Sequence, residues 1–424
     1  MSTPTKTSPL ARWTGQFRTM QDSRRARRTP TGHEIALADR IAHLNPELWD
    51  AAAVRGGFHL RRSYLAMLEQ HGPENILPAY ALITRDGAPV AVMAAQWLEF
   101  DGARIQKLTP ESKGAAAAAK ADLKEKWLKP LGRKARSKIK QRVLVCGNLL
   151  SWGCHGVSIA PGVDEVEAWS AIGEALYRLR RSAKLEGETD FITVKDITPG
   201  EAGHFPALQQ LGYRMAETEP NMVLDLRKEW RGFDDYAAAL SSKYRKSAKQ
   251  IREEVSTKGF VTEHLADVGS AAPRLHELYE AVHNSAPIRL ATLSQGFWPA
   301  FATCAADDLR CTVIRREDRI VGFVNTVRDG ATAIGYQIGF DREAALEAPI
   351  YLRLLQATIE DGITFGCERL SLGRTALEPK SRLGARPEPT HLWLRHRIPA
   401  MNLLVQGIIG HIPHAEAPER NPFK

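Results

Sequence analysis

The sequence repeats one order of predicted elements, and this repeat most constrains what the chain can fold into. In the first half, an apolar run from Tyr80 is interrupted by Asp86-Gly87, a dipeptide typical of a tight hairpin turn. In the second half, a similar strand, turn and strand begins at Cys311 and turns at Glu317-Asp318. A further strand is predicted after each hairpin, at 92–100 and at 331–340.

An amphipathic helix and a short apolar strand follow in each half. The helices are predicted from about Glu165 to Lys184 and from about Pro349 to Phe365, because apolar residues recur there at helical spacing. The strands are Phe191–Val194 and Leu370–Leu372. Earlier helices are predicted at about 61–70 and 233–254. The order predicts an α/β (α+β) fold of two tandem units, each with a mixed, mainly antiparallel sheet flanked by helices.

The two halves differ by one insertion. Val90 and Val321 are about 230 residues apart, but Phe191 and Leu370 only about 180, so the first half carries about 50 extra residues. The basic segment Lys113–Arg142 lies there, with eleven Lys or Arg and two acidic residues. We interpret it either as a solvated surface insertion or as a patch for an anionic partner: tRNA, a membrane surface or a polyanionic substrate.

Composition excludes several classes of protein. This segment carries a net charge of +9 and the N-terminal 33 residues carry +6, so the rest of the chain is mildly acidic and the whole chain has a net charge of +9. The N-terminal residues read as a disordered tail and only weakly as a transit peptide. Five scattered cysteines and no long apolar stretch favour a cytoplasmic protein without a transmembrane segment. His411 and His414 lack further ligands at metal spacing, so no metal is expected.

Four stretches resemble a known family. They are Asn221–Leu226 with the basic run Leu240–Lys249, the region from Leu278 to Trp298, the strand Ile320–Val324, and Gly373-Arg374-Thr375 followed by Lys380 and Gly384-Ala385. Together with the duplication, they resemble the GNAT superfamily acyltransferases, in particular the tandem-domain, Fem-type (FemAB-like) aminoacyl and acetyl transferases.

The resemblance implies a division into domains. Residues 1–40 form a basic tail, and 41–228 form a first GNAT-like domain with the basic insertion at about 105–150. Residues 229–412 form a second GNAT-like domain, expected to be the catalytic one, and 413–424 form a second tail.

Acyl transfer to an amine requires proton transfer and polarisation of a carbonyl. Tyr336 is a candidate general acid on a predicted strand, and Asn325 on the preceding strand could orient a carbonyl. His283 is a candidate base. Strand alternation predicts that Gln337, a candidate substrate-binding residue, faces away from Tyr336. A structural role remains the alternative for each.

Basic side chains supply the other candidates. Arg374, Thr375 and Lys380 follow the last predicted strand and could bind phosphate or carboxylate, with Arg374 able to do so through two N–H groups. Arg289 could contact the acceptor. A salt bridge or a solvated loop is the alternative for these residues.

The donor stays open between acyl-CoA (acetyl-CoA) and aminoacyl-tRNA. The Gly-rich loop that cradles a CoA pyrophosphate is absent from 163–169 and 344–352. The main hypothesis is an N-acyltransferase with a small-molecule or peptide amine acceptor. The alternatives are a tRNA-dependent peptide-bond-forming transferase, which would hold tRNA through Lys113–Arg142, and a non-catalytic binding protein. The sequence does not fix the oligomeric state.

Overall fold

The structure is a computed structural model, and it describes residues 29–101, 140–201, 206–286, 289–398, 400–402, 418 and 420–424. Residues 1–28 of the predicted N-terminal tail, most of the basic segment Lys113–Arg142, and both His411 and His414 lie outside the described residues. Residues 29–40 of that tail are described, and they include a strand, Glu34–Ala38.

The first half supplies seven strands and four α-helices among the described residues. In chain order they are β1 (Glu34–Ala38), α1 (Pro46–Ala53), α2 (Arg62–His71), β2 (Ile76–Arg85), β3 (Ala88–Asp101), β4 (Lys140–Cys146), β5 (Val157–Ile159), α3 (Glu165–Ser182), β6 (Phe191–Ile197), α4 (Pro206–Gln210) and β7 (Arg214–Asp225).

The second half repeats this order after two connecting helices. Its elements are α5 (Phe233–Ala239), α6 (Ser242–Thr257), β8 (Phe260–His264), α7 (Val268–His283), α8 (Phe297–Ala305), β9 (Leu309–Arg316), β10 (Arg319–Asp329), β11 (Thr332–Phe340), α9 (Arg342–Glu347), α10 (Ile350–Thr364), β12 (Arg369–Ser371), α11 (Leu377–Arg382) and β13 (Arg386–His396).

All strands of the described residues join one sheet. Its order is β1-β2-β3-β4-β6-β13-β7-β12-β11-β10-β9-β8, with β5 paired to β3. The pairs β4–β6 and β11–β12 are parallel, each joined through the helix α3 or α10, and the other pairs are antiparallel. The predicted fold class is confirmed.

The last strand of each half lies beside the other half. β13, from the second half, pairs with β6 of the first, and β7, from the first half, pairs with β12 of the second. β13 and β7 also pair with each other along most of their length. These pairings between the halves, which we call the strand exchange, cross the predicted domain boundary and make the sheet continuous.

The hairpin turns follow from local chemistry. Asp86 and Gly87 both have positive φ, +50° and +76°, as a two-residue turn between right-twisted strands requires. Glu317 also has positive φ, +54°, in the equivalent turn of the second half. Both predicted hairpins are confirmed.

The prediction of a separate strand at 92–100 is wrong, because β3 runs unbroken from Ala88 to Asp101. The counterpart of β11 is instead β4, which pairs with β3. β4 begins at Lys140, inside the range predicted for the insertion, and the undescribed residues 102–139 therefore occupy the position of the short β10–β11 turn.

The helix predicted at 233–254 is wrong as a single element. It ends at Ala239, and a new helix begins at Ser242, because Leu240 and Ser241 adopt extended backbone. The C-terminal residues hold this break: Leu240 forms a bridge with Phe423, and the Ser241 N–H donates to the Pro422 carbonyl.

Three layers of apolar residues surround the sheet. One core joins the halves: Trp49, Phe58 and Tyr64 lie in the same buried cluster as Trp298 and Phe301. A second core lies between α3 and the first-half strands, and α10 covers the second half. Among the described helices, none combines the length and apolar character needed to cross a bilayer.

The exchange makes a prediction about stability. Trp393 belongs to β13 but is 2% exposed within the core of the first half. Trp393→Ala should therefore lower the free energy of unfolding by about 3–5 kcal/mol and expose first-half cleavage sites in limited proteolysis. Trp393→Phe, the matched control, should retain most of the stability. Unchanged protease resistance of the first half in Trp393→Ala would contradict this account.

Candidate functional site

A cleft of about 390 Å³ lies over the middle strands of the sheet, where the halves meet. The first half contributes the turn 55–57, the segment 152–155 and Asp196 at the end of β6. The second half contributes Asp329 at the end of β10 and Arg374 after β12. Because each wall carries charged groups from a different half, the cleft exists only in the joined structure.

A glycine-rich loop after β4 carries His155 to the cleft. The N–H of Gly147 donates to the Ala94 carbonyl (3.2 Å), and the N–H of Ala94 donates to the Gly156 carbonyl (2.7 Å). The ends of the loop approach so closely that a Cβ on Gly156 would lie 2.4 Å from the Gly147 nitrogen. Glycine is therefore required there, and the loop is fixed on β3 at both ends.

His59, His155 and Asp329 form a cluster at the inner end of the cleft. The two imidazole rings stack with centroids 4.2 Å apart and planes 4° apart. One carboxylate oxygen of Asp329 accepts from the Phe58 N–H (2.7 Å), and the other lies 3.4 Å from Nδ1 of His59. His59 is fully buried, whereas His155 lines the cleft.

Burial sets the protonation states of this cluster. It lowers the pKa of His59 and that of His155, and the neighbouring His59 lowers the pKa of His155 further. For Asp329 burial acts in the opposite direction, but the hydrogen bonds from His59 and from the Phe58 N–H leave the pKa of the carboxyl below its usual value. At neutral pH the cluster therefore holds one carboxylate and two uncharged imidazoles.

The ligand atoms of these three residues lie within 4.8 Å of one another, which raises the question of a metal. An imidazole binds a metal in the plane of its ring, and two parallel rings stacked 4.2 Å apart have no common in-plane position. In addition, Nδ1 of His155 lies 2.8 Å from the Ser151 hydroxyl. The stacked arrangement fits a neutral histidine pair better than a shared metal.

Lys195 links β6 to the glycine-rich loop. Its Nζ donates to the carbonyls of Ser151 (2.9 Å) and Gly153 (3.0 Å) and lies 2.5 Å from a carboxylate oxygen of Asp196. Burial lowers the pKa of Lys195 to about 7. These contacts hold the loop in place and keep Lys195 turned into the protein.

Arg374 is the sequence-predicted residue that the structure brings to the cleft. Its guanidinium forms an ion pair with Asp196, donates to the Thr390 hydroxyl (3.2 Å) and lies 5.6 Å from the centre of the Trp152 ring. Burial lowers the pKa of Arg374 to about 10. Its Nε is buried and has no hydrogen-bond partner among the described atoms.

Tyr336 lies behind the cleft rather than on its surface. Its hydroxyl is 2.6 Å from that of Tyr64, which accepts from Nδ2 of Asn148 (2.8 Å) on the glycine-rich loop. Burial raises the pKa of Tyr336. The residue thus joins the second half to the loop that carries His155, and it is a weaker acid than an exposed tyrosine.

Asn325 and Gln337 are both buried, and Nδ2 of Asn325 donates to Oε1 of Gln337 (3.2 Å). The expectation that Gln337 faces away from Tyr336 is wrong. An irregularity in the pairing of β10 and β11 leaves Tyr336 without an opposite residue. Such a bulge interrupts the alternation, so both side chains lie on the face that α7 and α8 cover.

The remaining predicted residues lie elsewhere. His283 ends α7, stacks on Tyr279 and bonds to Thr292 (3.0 Å), and Arg289 donates to Asn284 (2.9 Å) nearby. None of these residues lines the cleft.

Thr375 and Lys380, the other two predicted residues that follow β12, differ in exposure. Thr375 is exposed. Lys380 is 3% exposed and donates to the Gly373 carbonyl (3.2 Å), and burial lowers its pKa to about 8. Lys380 therefore supports the backbone beside Arg374 instead of facing a ligand.

The sequence analysis missed His59, His155, Lys195, Asp196 and Asp329. Their signal is weak because they lie in several different elements, with only Lys195 and Asp196 on the same strand, and the contact between the halves brings them together. The glycines around two of them, in Gly56-Gly57 and in 147–156, were the available signal, since close backbone approach requires glycine.

The buried histidines predict how stability depends on pH. A histidine whose pKa is lower in the folded than in the unfolded state binds fewer protons when folded, so stability falls as the pH drops below about 6.5. Between pH 7.5 and 5.5, the lowered pKa of His59 should reduce the free energy of unfolding by up to about 1.4 kcal/mol. His59→Phe should flatten this dependence in urea unfolding. The exposed control His43→Gln should leave it unchanged, and equal slopes for wild type and His59→Phe would contradict the assignment.

Solved structures of low sequence identity resemble the chain. They include FemX (TM-score 0.49, 10% identity, covering 88% of this chain and 100% of that one) and the C-terminal domain of a putative lysylphosphatidylglycerol synthetase from Agrobacterium fabrum (0.47, 12%, 86% and 95%). A tandem GNAT protein from the clavulanic acid biosynthesis pathway is also similar (0.45, 12%, 86% and 98%). No protein with a curated description matches the chain in sequence.

The family model of the acetyltransferase (GNAT) domain matches residues 242–381. The match runs from the start of α6 into α11 and contains the hairpin, the parallel strand pair and the helix α10 that joins them. This part of the chain thus matches an acetyltransferase (GNAT) domain, in line with the resemblance to the tandem, Fem-type members.

Proposed function

We propose that the chain is an N-acyltransferase and that the acyl group passes to an amine in the cleft between the halves. The observation that carries this proposal is His155, an uncharged imidazole that lines the cleft and has a lowered pKa. An amine must lose a proton to attack a carbonyl, and a neutral imidazole accepts one at physiological pH.

The contacts of His155 favour one tautomer. The Ser151 hydroxyl lies 3.4 Å from the Asn148 carbonyl, to which it can donate. It then accepts from Nδ1–H of His155 at 2.8 Å, which leaves the Nε2 lone pair free as the base. Gly153 supports this role, because a Cβ at that position would lie 2.9 Å from Nε2 and would cover it.

Arg374 fits the anionic carrier of the acyl group. A guanidinium that lines the cleft can donate to a phosphate or a carboxylate, and the Trp152 ring beside it offers a flat apolar surface. Arg55 lines the opposite side of the cleft and is exposed. Both donor classes of the GNAT fold, acyl-CoA and aminoacyl-tRNA, carry such phosphates.

The parallel strands supply a place for the donor carbonyl. β11 and β12 pair only at Thr332–Ile334 and Arg369–Ser371, and then they separate. Ile334 and Ser371 both line the cleft. Strand N–H groups released by such a separation are donors for a carbonyl oxygen on which negative charge develops.

In the proposed reaction, His155 first accepts the amine proton and then gives it to the leaving group. The amine nitrogen bonds to the acyl carbon while Nε2 of His155 takes the amine proton. The bond between the acyl carbon and the carrier then breaks, and the departing carrier atom receives that proton. Tyr336, through Tyr64 and Asn148, positions the loop that holds His155 and does not itself contact the substrates.

The alternative of tRNA-dependent peptide-bond formation depends on Lys113–Arg142, most of which lies outside the described residues, and no observation favours it here. The domain boundaries at 40, 228 and 412, with the second domain as the catalytic one, also remain proposals. The proposed cleft would need both domains for catalysis, because the proposed base, His155, comes from the first half.

His155→Gln should lower kcat by about 10²- to 10⁴-fold with little change in the affinity for the donor, since general base catalysis contributes that much. The measurement is thiol release from acyl-CoA in the presence of a panel of amines, with the amide product identified by mass spectrometry. His283→Gln is the matched variant for the sequence-predicted base, and it should retain activity. Loss of turnover in His283→Gln with full turnover in His155→Gln would move the reaction to the end of α7.

A further inference from the structure

His155 carries a positive charge for part of the proposed reaction, in a place that holds little water. When Nε2 takes the amine proton, the ring is an imidazolium until the leaving group receives that proton. The side chain is half-buried, and burial disfavours the charged form of an imidazole, which lowers the pKa of His155. A fixed negative charge near the ring would offset this cost.

Three titratable side chains act on His155, and they come from three elements packed against its loop. His59, in the turn before α2, and Lys195, on β6, both disfavour a positive charge on the ring. Asp329, at the end of β10, favours it. A carboxylate oxygen of Asp329 lies within 4.8 Å of a ring nitrogen of His155. Of the three side chains, Asp329 is therefore the one that can stabilise the imidazolium.

The contacts of Asp329 leave its negative charge in place. Among the described residues, its ion-pair contact is with His59, whose Nδ1 lies 3.4 Å away. Burial lowers the pKa of His59, so this imidazole donates an N–H but carries no charge at neutral pH. The other carboxylate oxygen accepts from the Phe58 N–H at 2.7 Å. Both donors are uncharged, and they hold the carboxylate without cancelling its charge.

Gly57 allows the backbone to approach this carboxylate closely. A Cβ at that position would overlap Oδ1 of Asp329, and the residue has a positive φ of +67°. Glycine is the residue that accepts both conditions without strain. The turn before α2 is thus shaped around the carboxylate, which it fixes beside the two stacked rings.

We propose that Asp329 is the charge partner of the imidazolium that forms on His155, and that His59 holds the carboxylate in place without neutralising it. The inference rests on the proposed function, because it adds a role within the same proton transfer. The amine proton moves to Nε2 of His155, Asp329 stays ionised, and the proton then passes to the leaving group. Asp329 acts through His155 and is therefore a positioning residue.

Asp329→Asn tests this role, because it removes the charge and keeps an oxygen for the Phe58 N–H. An opposite charge at this distance moves a pKa by about 1–3 units. The pH midpoint of His155 should therefore fall by about one pH unit or more, as measured by ¹⁵N NMR of the full chain. One unit is a tenfold change in proton affinity, so kcat should fall about tenfold while KM for the donor stays unchanged.

The pH profile separates a charge effect from a structural one. Transfer needs an uncharged His155, so kcat/KM declines at acid pH with the midpoint of this residue. In Asp329→Asn that decline should move to lower pH, whereas a structural defect would lower activity without moving it.

Asp308→Asn is the matched control. The Asp308 side chain is 15% exposed and that of Asp329 is 12% exposed. Asp308 accepts from Arg61 and Arg328, and it does not line the cleft. This variant should leave the midpoint of His155 unchanged.

A measurement on the wild type keeps the test decisive even if Asp329→Asn does not fold. The interaction of two titrating groups is mutual, so the ¹³C signal of the Asp329 carboxyl should change at the midpoint of His155. An unchanged midpoint of His155 in folded Asp329→Asn, or a carboxyl signal that does not respond to protonation of His155, would overturn the proposal.

The outcomes separate this inference from the proposed function. If the midpoint falls in Asp329→Asn but His155→Gln transfers acyl groups at the wild-type rate, the charge pairing stands and the proposed base is wrong. If His155→Gln abolishes transfer and the midpoint is unchanged in Asp329→Asn, the base stands and the role of Asp329 is wrong.

Discussion

The pairing of β13 with β6 and of β7 with β12 is the constraint on which the rest of the structure depends. Each half completes its sheet with a strand from the other, and Trp393 is buried in a core to which its own half contributes little else. Hydrogen bonds along both strands and the burial of a large aromatic side chain stabilise the same contact. Separation of the halves would therefore break the pairings of β13 and β7 and expose Trp393.

The position of the cleft follows from this exchange. The exchanged pair is flanked by β6, which contains Asp196, and by β12, which precedes Arg374. Both residues line the cleft. The ion pair between Asp196 and Arg374 joins the halves across the cleft. The contact of His59 with Asp329 does the same at its inner end. The proposed binding and proton transfer thus use groups that only the assembled pair of halves places together.

Local patterns in the sequence account for much of the fold. The hairpins were predictable because Asp86-Gly87 imposes a turn geometry, and α3 and α10 because apolar residues recur at helical spacing. The repeat gave the order of elements in both halves. The break at Leu240 was not predictable, because it depends on a bridge to Phe423, almost at the other end of the chain.

The site was harder to predict for the same reason. Arg374 was identified from a family pattern, but its partner Asp196 and the proposed base His155 carry no pattern of their own. Tyr336 was recognised as a notable strand residue, yet its role depends on contacts with Tyr64 across the two halves. The strand exchange and the contacts between halves join residues that are far apart in the sequence. The spacing of residues within either half therefore does not predict them.

The central claim is that His155 is an uncharged base with a free Nε2. The most direct measurement is ¹⁵N NMR of the imidazole nitrogens during a pH titration, with the signals assigned by comparison with His155→Gln. The account predicts a protonated Nδ1, an unprotonated Nε2 at neutral pH, and a midpoint below the ordinary histidine value of about 6.5. A midpoint above that value, or a proton on Nε2 at neutral pH, would contradict it.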